Sequence, residues 1–181
     1  MSKIFGTILV SACAVVCGAA GAADTFYAGA ALGPAGNSRV QSPSGIYESS
    51  NEPLVFGVYG GYQFSDALAL EAGYTDFGKY KLGLPATTQV STVYFAGKAG
   101  MKLGAAWELY AKAGLARNQV ALTGLAVDNV SKTRPMLALG AQYALTERIA
   151  VGLELVDYGN FKAGKIDVGT RHLQATVKYS F

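Results

Sequence analysis

The amino-acid sequence predicts an all-β fold: an eight-stranded antiparallel transmembrane β-barrel of up-and-down topology, with both termini on the periplasmic side. Three observations predict it. Apolar and polar residues alternate with a period of two along most of the chain after residue 24, the mark of strands with two unlike faces. The connections between these segments are by turns tight and long, as a barrel with short turns at one rim and loops at the other requires. Aromatic residues of the apolar face gather at the tight-turn rim. A bilayer interface holds aromatics there, and a soluble barrel has no reason to.

The N-terminus reads as an export signal. Lys3 supplies a positive charge, residues 4–17 run apolar or small, and Ala19-Ala20-Gly21-Ala22-Ala23 offers small residues to a signal peptidase. The apolar core is too short to span a bilayer and no stop-transfer charge cluster follows it. The expected organisation is therefore a cleaved signal peptide, 1–23, and one outer-membrane barrel domain, 24–181. Val10-Ser11-Ala12-Cys13 also fits a loose lipoprotein box. Cutting there would leave an apolar core of only about seven residues, so cleavage after Ala23 is preferred. Cys13 and Cys17 are the only cysteines, so the mature chain is expected to carry no zinc site, thiol nucleophile or disulfide. Neither a metal nor a cofactor is expected. The net charge of +3 is too slight a bias to argue for nucleic acid.

The clearest strand is the last. Leu173, Ala175, Val177, Tyr179 and Phe181 alternate with His172, Gln174, Thr176, Lys178 and Ser180. Leu68, Leu70, Ala72 and Tyr74 stand against Glu71, and Phe95, Gly97, Ala99, Met101 and Leu103 against Lys98 and Lys102. Trp107, Leu109, Ala111, Ala113 and Leu115 oppose Glu108, Tyr110 and Lys112, while Ile149, Val151, Leu153 and Leu155 oppose Gly152 and Glu154. With 26–32, 54–64 and 135–145 these make eight segments near the ~9–11 residues that a tilted membrane strand needs. Ser65-Asp66-Ala67, Gly104-Ala105-Ala106 and Thr146-Glu147-Arg148 are the tight turns; the stretches near 33–53, 79–89, 118–133 and 159–170 are the long loops. Phe26, Tyr62, Phe64, Trp107, Tyr143, Tyr179 and Phe181 form the expected aromatic rim.

Residues directly opposite in a hairpin share a face. Pairing Phe64 with Leu68, Leu103 with Trp107 and Leu145 with Ile149 satisfies this across three-residue turns. The second hairpin then sets Lys102 opposite Glu108, a favourable pair, and Lys98 opposite Lys112, an unfavourable one. Two ammonium groups in a narrow lumen need a shared carboxylate, and Glu71 first and Glu154 second are the candidates. An ionic plug follows, and the expected lumenal network is Glu71, Lys98, Lys102, Glu108, Lys112, Gln142, Glu154 and Lys178.

Gly57-Val58-Tyr59-Gly60-Gly61-Tyr62-Gln63-Phe64, followed by Leu70-Glu71-Ala72-Gly73-Tyr74-Thr75-Asp76-Phe77-Gly78, resembles the second and third strands of the small outer-membrane barrels typified by outer-membrane protein A and the opacity proteins. Phe26-Tyr27-Ala28-Gly29-Ala30-Ala31-Leu32-Gly33 and the ending Val177-Lys178-Tyr179-Ser180-Phe181 are similar to that family too, so the resemblance spans the mature chain. It implies eight strands around a lumen closed by charged side chains, with Glu71, Lys98 and Lys112 among the interior charges. It also implies that the terminal Tyr179 and Phe181 are read by the barrel-assembly machinery. Gln142 stands where the type carries an interior acid and Gly152 where it carries an arginine, so its salt-bridge scheme does not transfer. No peptidoglycan-binding domain is expected to follow the barrel.

The function expected is that of a non-enzymatic outer-membrane protein whose plugged body serves envelope integrity and whose loops serve surface interaction. A small porin is the alternative, should Glu71, Lys98, Lys112 and Glu154 exchange partners. A lipid A-modifying enzyme is the second alternative. His172, the single histidine, and Ser131 would have to serve it, but position 172 points into the lumen rather than to lipid and reads better as a solvated rim residue. Lys79, Lys81, Arg117, Lys132, Arg134, Lys165 and Arg171 cluster near the loop end and could meet lipopolysaccharide phosphates; ordinary solvated charge fits them equally well. Membrane lipid and lipopolysaccharide are the expected partners, and nothing in the loops names an extracellular one.

Overall fold

A computed structural model describes residues 25–34, 40–42, 45–47, 54–81, 87–123, 130–159, 161–163, 166–168 and 171–181. The expected leader, 1–23, lies outside these residues. Twelve strands follow one another among those described: β1 (Thr25–Pro34), β2 (Val40–Ser42), β3 (Gly45–Tyr47), β4 (Leu54–Gln63), β5 (Leu68–Lys81), β6 (Thr87–Leu103), β7 (Trp107–Thr123), β8 (Val130–Ala144), β9 (Ile149–Asp157), β10 (Phe161–Ala163), β11 (Ile166–Val168) and β12 (Arg171–Ser180). Eight of them, β1, β4 to β9 and β12, close into one antiparallel barrel in which β1 pairs with both β4 and β12. The remaining four form two small ribbons, β2 with β3 and β10 with β11.

The hairpin registers follow from parity. Leu103 faces Trp107, and the amides of Phe64 and Leu145 donate to the carbonyls of Leu68 and Ile149, each at 2.9 Å. Ser65 and Thr146 hydroxyls cap their turns by accepting the amides of Leu68 at 3.1 Å and Ile149 at 3.0 Å. A short side chain that bonds its own backbone pins a turn in this way.

Alternation sorts the side chains. Leu70, Phe95, Leu109, Leu139, Leu153 and Val177 are exposed on the outer face, while Glu71, Lys98, Lys112, Glu154 and Gln174 are buried inside. A band of exposed apolar side chains around the outer face, costly in water, is what a lipid solvent favours. The aromatic rim closes in contacts between Phe26 and Tyr62, Tyr62 and Phe64, Trp107 and Tyr143, and Tyr179 and Phe181, with ring centroids 4.8 to 5.2 Å apart.

The structure corrects the loops. The stretches 79–89 and 118–133, expected as connections, are largely strand: β6 and β7 run 17 residues each and stay paired as far as Thr87 and Thr123. The sequence there is rich in β-branched residues, a composition that favours strand, although its polar residues weaken the membrane alternation. Four strands, β5 to β8, thus project past the apolar band at the long-loop end. The stretches 33–53 and 159–170, expected as loops, carry the two ribbons.

Candidate functional site: the barrel lumen

The lumen is filled in three layers. In the central one Lys112 Nζ lies 2.6 Å from Glu71 Oε1 and 2.6 Å from Glu154 Oε2. Tyr94 and Tyr27 donate their hydroxyls to the two oxygens of Glu71 at 2.7 and 3.1 Å. Tyr110 donates to Glu154 Oε2 at 2.8 Å and the Gln174 amide to Oε1 at 3.0 Å. Every carboxylate oxygen is therefore satisfied, which is the condition for burying such groups at all. The rings of Tyr59 and Tyr110 lie 5.1 and 5.3 Å from the ammonium, adding cation–π attraction. Glycine makes room for the rings: a Cβ at Gly61 would collide with Tyr27, and one at Gly140 with Tyr110.

Towards the tight turns lies a second ionic layer. Lys98 Nζ is 2.9 Å from Glu108 Oε1, and Gln142 donates to Glu108 Oε2 at 2.6 Å. Lys98 sits 4.2 Å over the Tyr110 ring, and the half-buried Lys178 lies 5.4 Å over that of Tyr27. Three carboxylates, Glu71, Glu108 and Glu154, thus share the interior with three ammonium groups, Lys98, Lys112 and Lys178, and the charges balance.

Two pairings differ from expectation. Lys98 and Lys112 do face each other across the second hairpin, but they do not share a carboxylate: Glu71 and Glu154 both serve Lys112, and Glu108 serves Lys98. Lys102 stands opposite Glu108 in register, yet its ammonium turns to Asp66 at 2.8 Å and remains solvent-exposed, outside the buried network. Gly100 explains both. It lies between Lys98 and Lys102 on the inner face, and a Cβ there would collide with the Glu108 carboxylate, which folds over the glycine to reach inward.

Towards the long loops the lumen is filled by uncharged and largely apolar side chains, which the sequence reading missed. Val55, Val90, Met136, Val156, Phe77 and Tyr158 form one buried cluster. His172 belongs beside it. Expected as a solvated rim residue, it is 3% exposed, packed against Phe77 at 5.3 Å and Tyr158 at 5.8 Å between centroids. The inward parity of Thr75 continues to Phe77, and that of Val156 to Tyr158; extending each alternation two residues further would have found this layer.

The fold agrees with the match of the OmpA-like transmembrane domain model to residues 21–177. The chain belongs to that family. As an OmpA-like barrel it is an integral outer-membrane protein. It is 29% identical over 164 residues to outer membrane protein P5 of Haemophilus influenzae, a match covering 79% of this chain and 46% of P5, so the chain spans about half the length of that curated relative. Among solved structures, neisserial surface protein A superposes with a TM-score of 0.62 at 18% identity, over 86% of this chain and 97% of that one. The N-terminal barrel domain of Pseudomonas aeruginosa OprF gives 0.60 at 15%, over 88% and 99%. Ail of Yersinia pestis, solved with the heparin analogue sucrose octasulfate, gives 0.55 at 16%, over 86% and 97%.

Four of the expected basic residues have described side chains in this OmpA-like barrel. Arg117, exposed on the outer face just beyond Leu115, donates to Ser131 at 3.1 Å. Arg171 pairs with Asp157 at 2.7 Å on the same outer face. Lys132 and Arg134 are exposed at positions of inward parity, near the mouth. Lys79 and Lys81 fall in β5, and their side chains, like Lys165 as a whole, lie outside the described residues. Ser131 is engaged by Arg117, whereas His172 Nε2 faces Gln174 Oε1 at 3.1 Å.

Proposed function

We propose that this barrel is a closed, non-enzymatic element of the outer membrane that contributes to envelope integrity, with its long loops presented to the exterior and both termini in the periplasm. The observation that carries the reading is Lys112 held between Glu71 and Glu154, deep in an interior filled on both sides. Eight strands enclose a lumen just wide enough for side chains, and these side chains use it up. The recess among Gln63, Asp66, Ala69, Lys98, Gly100 and Glu108 measures about 10 Å³, about the room of one water. Planar-bilayer recording tests the reading. The wild-type protein, verified as folded by its heat-modifiable gel mobility, should show little or no stable conductance. A large ion-selective current would replace the plug with a porin.

Three further expectations belong to this reading. The mature chain begins at Asp24, which N-terminal sequencing checks; a lipidated Cys13 would overturn it. Tyr179 and Phe181 are offered to the assembly machinery, so deleting Phe181 should slow assembly in cells. Arg117 and Arg171, at lipid-facing positions of the long-loop end, meet lipopolysaccharide phosphates; Arg117→Ala should weaken lipopolysaccharide co-purification without changing fold.

A further inference from the structure

Hairpins β4–β5 and β8–β9 are the same unit built twice. Each residue of the second lies 81 positions after its counterpart in the first, from 65 to 146 and from 76 to 157, without a gap. The turn hydroxyls coincide: Ser65 accepts the amides of Ala67 and Leu68, and Thr146 those of Arg148 and Ile149. So do the far ends. In Asp76-Phe77-Gly78 the carboxylate accepts the Gly78 amide at 2.7 Å, and in Asp157-Tyr158-Gly159 it accepts the Gly159 amide at 2.9 Å. Both glycines take left-handed backbones, φ 78° and 79°, a conformation that other residues rarely adopt. The second oxygen of each aspartate is clamped from the next strand of the barrel, Asp76 by Gln89 at 3.2 Å and Asp157 by Arg171 at 2.7 Å.

The aromatic residue of each motif points into the barrel, and the two meet. Phe77 and Tyr158 are 5.9 Å apart at an interplanar angle of 86°. They are 5% and 1% exposed, and His172 packs on both. The Tyr158 hydroxyl shares a hydrogen bond with Thr75 at 3.0 Å, and its carbonyl accepts from Asn118 at 3.2 Å. Neither ring carries charge, and neither takes part in the ionic layers beneath.

We infer that Asp76-Phe77-Gly78 and Asp157-Tyr158-Gly159 are two equivalent leaves of an aromatic lid that isolates the ionic layers from the long-loop end of the lumen. One leaf is an irregularity within β5, where the pairing with β6 shifts register between Asp76 and Lys79, and the other follows the end of β9; each is turned by a glycine and locked by an aspartate, so the seal depends on both. The lid sits above the Glu71–Lys112–Glu154 cluster: on that side the polar chain from Glu154 through Gln174 ends at His172, which is buried against both rings, whereas on the tight-turn side Lys98 and Glu108 border the recess. The inference rests on the closed-lumen reading but fails separately from it, because a silent wild-type barrel could still lack a lid.

Thiol accessibility tests it. In a full-length chain with Cys13→Ser and Cys17→Ser, one cysteine is introduced at Ala138, buried on the inner face just below Met136, or at Ala69, which borders the recess at the tight-turn end. The protein in nanodiscs is treated with a charged methanethiosulfonate reagent. Ala138→Cys should react slowly. Phe77→Ala or Tyr158→Ala should each speed it by roughly tenfold or more, as local opening loses one packed ring, and the double variant should speed it further. Ala69→Cys should keep its rate throughout. If an alanine variant does not fold, Phe77→Leu and Tyr158→Leu remove the ring contacts at nearly constant volume and should give the same order. Equal rates for Ala138→Cys with and without the rings, in protein shown to be folded, would overturn the lid. A response to one ring only would overturn the equivalence of the leaves.

Discussion

The two ends of the lumen solve one problem by opposite means. At the centre and the tight-turn end the interior is filled by charge: Lys112 between two glutamates, Lys98 against Glu108, tyrosines donating to whatever oxygen remains. At the long-loop end it is filled by Phe77, Tyr158, Met136, Val55 and His172, with scarcely a charge among them. The difference teaches that closure and solvation are separate tasks. An ionic layer holds its geometry tightly because each member is costly to leave unpaired, but it would attract water wherever water could reach. An apolar layer specifies less and excludes water better. Set in series, the second keeps the first dry and the first keeps the strands in register.

Substitutions can break or sharpen this contrast. The largest effect is expected from Lys112→Met, which leaves Glu71 and Glu154 facing each other without a cation. A loss towards the top of about 3–5 kcal/mol should appear in urea titration of the folded barrel in lipid. Glu71→Gln should cost clearly less, since Lys112 keeps Glu154, and the reverse order would mean that the bridge is not central. In the aromatic layer Tyr158→Ala should cost about 3 kcal/mol by loss of packing, with a dependence on ionic strength no greater than that of the parent. Leu153→Arg, on the outer face midway along β9, should cost about 2–4 kcal/mol in the same titration. Equal tolerance of Gln174→Arg and Leu153→Arg would mean that the faces have been misassigned. A double-mutant cycle on Lys98 and Glu108 should return a coupling of about 1–3 kcal/mol, discounted because Glu108 is partly exposed. Lys102→Ala, whose partner Asp66 is exposed, should cost under about 0.5 kcal/mol.

The barrel was legible because period-two alternation and the three tight turns fix strand number, face and register together. Register then carried the juxtaposition of Lys98 with Lys112 into view. What it could not show was which carboxylate each lysine takes. That depends on how far a side chain can lean, and Glu108 leans over Gly100, a local vacancy that parity does not encode. The aromatic layer was hidden for a different reason. Phe77 and Tyr158 sit beyond the lipid band, where the outer face turns polar and the contrast between faces fades. His172 looked like a rim residue for the same cause, since its cover comes from β5 and β9 rather than from its own strand. Parity opposite to that of Trp107 set Tyr110 on the inner face from the sequence, and the same argument against Phe26 places Tyr27 inside.

The seam between β1 and β12 has a consequence for the order of events in folding. Tyr27 pairs with Ser180, and the amide of the final residue, Phe181, donates to the carbonyl of Phe26 at 3.0 Å. The three tight hairpins close across a few residues and cost little chain entropy, whereas the seam joins β1 and β12, the barrel strands furthest apart in sequence, and costs the most. The hairpins are therefore expected early, and the clasp last. Until it fastens, the sheet has two raw edges, each able to recruit a foreign strand. The last hydrogen bonds to form turn an open, adhesive ribbon into an inert cylinder.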